Sequence, residues 1–227
     1  MGIDHGRFRA TVSCGRGPCR RAGSRKLREC PARHSDLAPR PREAVGHSPH
    51  PVGRQLDAAI SPLVQLAQKQ GIAVLVEGDA RLARTVKADG MHIPASNDPL
   101  SAFEEAREIL GARAIVGVDA GRSRHDAMSL GEAGADYIGF GLPARAKQTA
   151  ADVDDDKAFR LDLVQWWSEI FEIPCVAFDI DKTDDAAELA DARADFVAVR
   201  LPASIDAADA ERWLQGFNGA LAATTAA

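Results

Sequence analysis

Long apolar runs are missing from this chain of 227 residues. No stretch of about 18 apolar residues occurs, so no membrane-spanning helix is expected. No apolar segment of the secretory type lies near Met1, which argues against export. Cysteine is scarce: four residues are too few for a disulfide scaffold and suit a cytoplasmic protein. Aromatic residues make up 5% of the chain, with a single tyrosine. In the first 54 residues Phe8 stands alone, so a basic segment there has little on which to stack bases. Apolar residues still reach 45%, enough for a buried core, and the length suits one large domain or a single α/β barrel.

Acidic residues are nearly absent from residues 1–54. Eleven Arg and one Lys stand there against two Asp and two Glu, a balance of +8, and the total of −5 leaves −13 for the rest. Pro18, Pro31, Pro39, Pro41, Pro49 and Pro51 interrupt any helix, and no strand pattern is present. Cys14, Cys19, Cys30 and His34 lack the tight Cys-x2-Cys knuckle of a zinc site. A basic tail for nucleic acid and a transit peptide are both open readings, but unstructured chain is preferred. The Arg, Gly, Pro, Ala, His and Ser bias also matches translation of GC-rich DNA out of frame, so a frameshift or misplaced start near residue 55 is expected. The domain division is therefore 1–54 basic and disordered or non-native, 55–222 folded, and 223–227 a frayed tail.

From Gln55 onward the patterning is regular. Gln55–Gln70 reads as a helix with Leu56, Ile60, Leu63, Leu66 and Ala67 on one face, stopped by Gly71. Ile72–Val76 follows as a buried strand and Ala80–Val86 as a short helix. Gly90–Ile93 is a strand. Pro99–Leu110 is a helix with Asp98 as its N-cap, Pro99 at its first position and Gly111 as its stop. Ala114–Val118 is a strand, Arg124–Ala133 a helix and Asp136–Phe140 a strand. Gly141–Lys157 reads as a long loop. Ala158–Phe171 is a helix with Phe159, Leu163, Trp166, Trp167 and Ile170 inward. Pro174–Phe178, Thr183–Ala192, Asp195–Val199 and Ile205–Leu221 complete the alternation. Six consecutive βα units mean a parallel sheet. A barrel of this type has eight strands, so two are missing, and residues 1–54 stand in their place.

ADGMHI, GARAIVGV, EAGADYIGFG, and IPCVAF followed by DDAAELADARADFVAV resemble the thiamine-phosphate synthase and thiazole tautomerase family in order and spacing. The resemblance runs from Gln55 to about Val199. It implies a (β/α)8 barrel in which a pyrimidine diphosphate is joined to a thiazole phosphate, with loss of diphosphate and Mg²⁺ on the leaving group. Such chemistry is served by cations and backbone N–H groups around departing charge.

Position by position, the resemblance also marks departures. The family's basic Q-x-R-x-K strand has no counterpart. Its Asn-Asp-Arg falls on Glu77, Gly78 and Asp79, and its Gly-Gln-x-Asp on Pro94, Ala95, Ser96 and Asn97. Asp79 and Asn97 are thus the candidate Mg²⁺ ligands. Its Ser-x-His falls on Asp119, Ala120 and Gly121. The phosphate loop after Gly141 keeps Lys147, with Arg145 as a helper. The Gly-Gly after the seventh strand falls on Asp179 and Ile180, and Arg200 follows the eighth, expected to pair with Asp179. The candidate substrate- and phosphate-binding residues are Gly141, Lys147, Arg200, Asp179 and Asp119, and no catalytic residue is assigned. Glu77, Asp79, Asp119, Asp179 and Asp181 would ring the mouth, either as a metal site or, preferred, as a solvated acidic rim. His92 is expected to be a satisfied core histidine.

Three functions follow. The first is a thiamine-phosphate synthase with degenerate motifs, taking small phosphorylated substrates. The second is a non-catalytic relative that binds another small ligand or a protein. The third, nucleic-acid binding through the basic tail, is disfavoured.

Overall fold

The computed structural model describes residues 51–143, 149–201 and 205–225. The segment 1–50, with Cys14, Cys19, Cys30 and His34, lies outside them, as do Arg145 and Lys147. The elements are α1 (Pro51–Lys69), β1 (Leu75–Glu77), α2 (Ala80–Val86), β2 (Gly90–Ile93), α3 (Pro99–Leu110), β3 (Ile115–Asp119), α4 (Arg124–Glu132), β4 (Tyr137–Phe140), α5 (Ala150–Ile170), β5 (Cys175–Ile180), α6 (Thr183–Asp191), β6 (Phe196–Val199) and α7 (Ala207–Thr225). The strands form one six-stranded sheet in the order β1-β2-β3-β4-β5-β6, every pair parallel. The sheet is a curled half-barrel. The eight-stranded closure expected from the resemblance is not reached among the described residues, because six strands leave β1 and β6 as edges.

Alternation along each strand divides the side chains between two faces. Met91, Ile93, Val116, Val118, Ile138, Phe140, Cys175, Ala177, Val197 and Val199 pack into the main core with Phe103, Ala127, Leu130, Leu163 and Trp167 from the helices. The alternate positions, Tyr137, Val176, Phe178 and Ala198, form a small second cluster on the inner face, flanked by Leu75, Ile115 and Phe196. Curling brings inner side chains together, and glycine relieves the crowding. A Cβ on Gly117 would lie 1.9 Å from the Tyr137 ring, and one on Gly90 1.8 Å from the Ile115 carbonyl oxygen.

The sheet is tied at the N-terminal ends of its strands by one device used three times. An Ala-Asp pair precedes β2, β4 and β6. Asp89 Oδ2 accepts from Val74 N–H at 2.8 Å, Asp136 Oδ2 from Val116 N–H at 2.8 Å, and Asp195 Oδ2 from Cys175 N–H at 2.9 Å. Each carboxylate thereby satisfies a donor at the start of the preceding strand.

Several expectations need correction. α1 begins at Pro51, ahead of Gln55, because proline is well placed in a first helical turn. Leu63 and Leu66 are exposed, whereas Ile60 is inward as expected, with Val64 beside it against Val86. β1 covers only Leu75–Glu77 and is half-buried, with Ile72 exposed, since an edge strand has one partner. The last part of the loop expected over Gly141–Lys157 is helix: α5 starts at Ala150, where Thr149 and Asp152 form a reciprocal capping box. Within α5, Ile170 faces solvent, and the buried stripe is Asp156, Arg160, Leu163, Val164 and Trp167. α7 continues to Thr225, into the segment expected to fray. The caps expected at Asp98 and Gly111 are present.

Candidate functional site

In parallel α/β sheets, ligands enter at the C-terminal ends of the strands. That end gathers Asp119 from β3, Gly141 after β4, Asp179 from β5 and Arg200 after β6. Asp119 is buried, and its Oδ1 accepts from Gly121 N–H at 2.8 Å and Gly141 N–H at 3.3 Å. Asp179 Oδ2 accepts from Leu142 N–H at 3.2 Å, and its Oδ1 pairs with the Arg200 guanidinium, as expected. A Cβ on Gly141 would stand 2.5 Å from Asp119 Oδ2 and 3.2 Å from Asp179 Oδ2, so glycine is what lets both carboxylates approach.

Asp179 reaches this position through a bulge. Ala177 pairs with Val197 and Ile180 with Val199, so Phe178 and Asp179 together face Ala198. Asp179 takes φ +62°, a left-handed conformation that favours glycine and that Asp tolerates better than most residues. Arg160, deep in α5, donates from Nη1 to the Phe178 carbonyl at 2.6 Å and holds the strand just before the bulge. Burial lowers the Arg160 pKa from its ordinary value, and Asp185, Asp179 and Asp181 oppose that shift. Asp156 pairs with Arg122, which also lies over the Phe159 ring at 3.9 Å, and Lys157 pairs with Asp185 at 2.6 Å. Arg122, in the turn before α4, and Arg160, inside the expected helix Ala158–Phe171, are charged residues that an apolar stripe does not select, and Asp156 lies in the segment expected as a loop, where α5 has already begun. Thr149-x-x-Asp152 and the stripe from Asp156 to Trp167 were the signals for it.

Below the mouth, His92 is a buried core residue. Its Nδ1 is hydrogen-bonded to the Tyr137 hydroxyl at 3.0 Å, and its ring stacks on Phe178 at 4.2 Å. Burial, then the Asp119 charge, raises the Tyr137 pKa above its ordinary value, so the phenol stays protonated. Neither reading of the acidic ring fits as a whole. Asp119 and Asp179 are mostly buried and held by backbone donors, while Asp79 and Asp181 are exposed, as a solvated rim requires.

Mg²⁺ takes hard oxygen donors in near-octahedral array. Asp79 Oδ1 caps α2, accepting from Arg81 and Leu82 N–H at 2.9 Å each, and Asn97 is neutral and exposed. Among the described residues no group of three Asp, Glu, His or Cys is arranged to hold a metal. These donors do not make a Mg²⁺ site by themselves. Among the described residues, no helix is long and apolar enough to cross a membrane.

Residues 52–201 match the family model described as thiamine monophosphate synthase. The chain belongs to the thiamine monophosphate synthase family. A thiamine-phosphate synthase from Erythrobacter litoralis is 41% identical over 138 residues, 61% of this chain and 62% of the relative. Another from Rhodospirillum centenum is 37% identical, over 62% of this chain and 65% of the relative. A third, from Thiobacillus denitrificans, is 35% identical over 74% of this chain and 76% of the relative. The chain thus matches less than two thirds of the length of the first two. In fold it is similar to a thiamine phosphate pyrophosphorylase from Pyrococcus furiosus, with TM-score 0.59 and 22% identity over 75% of this chain and 78% of that one.

Proposed function

We propose that this protein acts in thiamine biosynthesis as a thiamine-phosphate synthase with an altered site, joining a hydroxymethylpyrimidine diphosphate to a thiazole phosphate and releasing diphosphate. The match of residues 52–201 to the family, with relatives bearing that name, is the observation that carries it. In this reading β1 to β6 are the third to eighth strands of an eight-stranded barrel, the substrates are small and phosphorylated, and the reaction is cytoplasmic. Arg200 and the amides of Gly141 and Leu142 are the donors nearest the mouth for phosphate oxygens. Lys147, outside the described residues, is proposed to add a cation. The reading includes a Mg²⁺ requirement, with Asp79 and Asn97 as the residues nearest the family's metal positions.

The test is release of diphosphate and formation of thiamine phosphate by the full chain, with and without Mg²⁺. Mg²⁺-dependent product supports the proposal. A folded protein that forms none overturns it in favour of the second reading, a non-catalytic relative binding another small ligand. That reading is favoured by one observation: Asp119 and Asp179 already occupy the backbone donors at the mouth.

A further inference from the structure

We infer that Arg160 is a positioning residue for the mouth, acting through the Phe178 carbonyl to hold the peptide between Phe178 and Asp179. Arg160 lies in α5, is 3% exposed, and donates from Nη1 to that carbonyl at 2.6 Å. The Phe178 carbonyl and the Asp179 N–H share one planar peptide, so a bond to the first also sets the φ of Asp179. That φ is +62°, a conformation that a residue with a Cβ rarely holds without support from its surroundings. Both side chains flanking this peptide are engaged. The Phe178 ring stacks on His92 at 4.2 Å. The Asp179 carboxylate accepts from Leu142 N–H at 3.2 Å and pairs with Arg200. That pair orients the Arg200 guanidinium without burying it, since Arg200 is half exposed. Rotation of this one peptide would release the ring, the carboxylate and, through the carboxylate, Arg200.

Arg160 is well placed to orient and poorly placed to stabilise. Its Nε is also buried and has no hydrogen-bond partner among the described residues. A buried guanidinium with an unpaired donor gives less stability than an apolar side chain of similar size in the same space. Its helix is fixed on both sides. Asp156 pairs with Arg122 in the turn before α4, and Lys157 pairs with Asp185 of α6 at 2.6 Å. α5 is thus a rigid base from which one side chain reaches the β5 bulge.

The bearing of Arg160 on turnover rests on the proposed function; its bearing on the geometry of the mouth does not. Native-state amide exchange is measured in full-length wild type, Arg160→Met, Arg160→Gln and Arg160→Lys, with thermal melts to show which are folded. Met and Gln remove the guanidinium, and Lys retains a charged donor. In a folded Met or Gln variant, Leu142 N–H is expected to exchange about tenfold faster than in wild type, the scale of one hydrogen bond. Ile138, inside the sheet, is expected to be unchanged, and Lys to restore part of the protection at Leu142. Where wild type turns over, KM for the phosphorylated substrates is expected to rise in the Met and Gln variants with kcat less affected, and Lys to recover part of the loss. Leu142 protection equal to wild type in a folded Met or Gln variant overturns the inference, as does turnover unchanged in both KM and kcat. Equal loss of protection at Leu142 and Ile138, or failure of both variants to fold, also overturns it, because Arg160 is then merely structural. A wild type without synthase activity overturns the proposed function and leaves the exchange comparison to decide the role of Arg160.

Discussion

The two ends of this sheet use the same chemistry to different effect. At the N-terminal end, Asp89, Asp136 and Asp195 each accept a backbone N–H from the start of the neighbouring strand. At the C-terminal end, Asp119 and Asp179 accept from Gly141 and Leu142. The first set bonds amides that have no other use, and so holds strands in register. The second set bonds amides at the end where ligands enter a parallel sheet. A carboxylate on an amide therefore sets strand register at one pole and shapes the mouth at the other, and its place in the fold decides which.

The comparison can be broken first at the face both ends depend on. Trp167→Ala removes a fully buried side chain stacked on Phe171 at 4.0 Å, with Nε1 donating to the Ile173 carbonyl at 2.7 Å. It is expected to cost about 3–5 kcal/mol in denaturant unfolding. Asp195→Ala comes next: it strands the buried Cys175 N–H and is expected to cost about 1–3 kcal/mol. The same change at Asp179 should cost less, because its partner Arg200 is half exposed and can return to water. Equal costs at Asp195 and Asp179 would remove the distinction between the poles. Thr149→Ala, which removes the cap of α5, is expected to cost about 1 kcal/mol, read from the same unfolding curves.

The order of strands and helices was legible in the sequence, with Asp98 and Gly111 bounding α3 by local rules. The Ala-Asp before β2, β4 and β6 lies in segments that carry the family likeness, but the role of Asp89, Asp136 and Asp195 was not read from it. The mouth was less legible, because its contacts join residues far apart in sequence. Asp179 was singled out as a carboxylate where glycine was expected, and its pairing with Arg200 was anticipated. Its hold on Leu142 depends on a bulge that no local pattern marks. Leu63, Leu66 and Ile170 fit their helical stripes yet face solvent, since periodicity shows that a helix has a face but not where its neighbours sit. Arg160 lies within the helix expected at Ala158–Phe171, but its partner is a backbone carbonyl of a later strand, which no local pattern marks.

A pH-dependent effect separates the buried face from the mouth. Burial pushes the Cys175 thiol up to about 12. The folded state therefore holds this proton more tightly than the unfolded chain does. Its contribution is intact below the ordinary thiol value of 9.0 and is lost as pH rises from there toward 12. Stability measured across that window should fall, and the fall should diminish in Cys175→Ala. Peptide-resolved alkylation at neutral pH should leave Cys175 unmodified until the protein unfolds.

Native-state amide hydrogen exchange at Gly141 and Leu142 tests most directly that the mouth is occupied by its own carboxylates. Both amides should be protected, and Leu142 should lose protection in Asp179→Gly while Ile138, inside the sheet, keeps its own. If Gly141 and Leu142 exchange in wild type as fast as open loop amides, the carboxylates are not on them and the account of the mouth is contradicted.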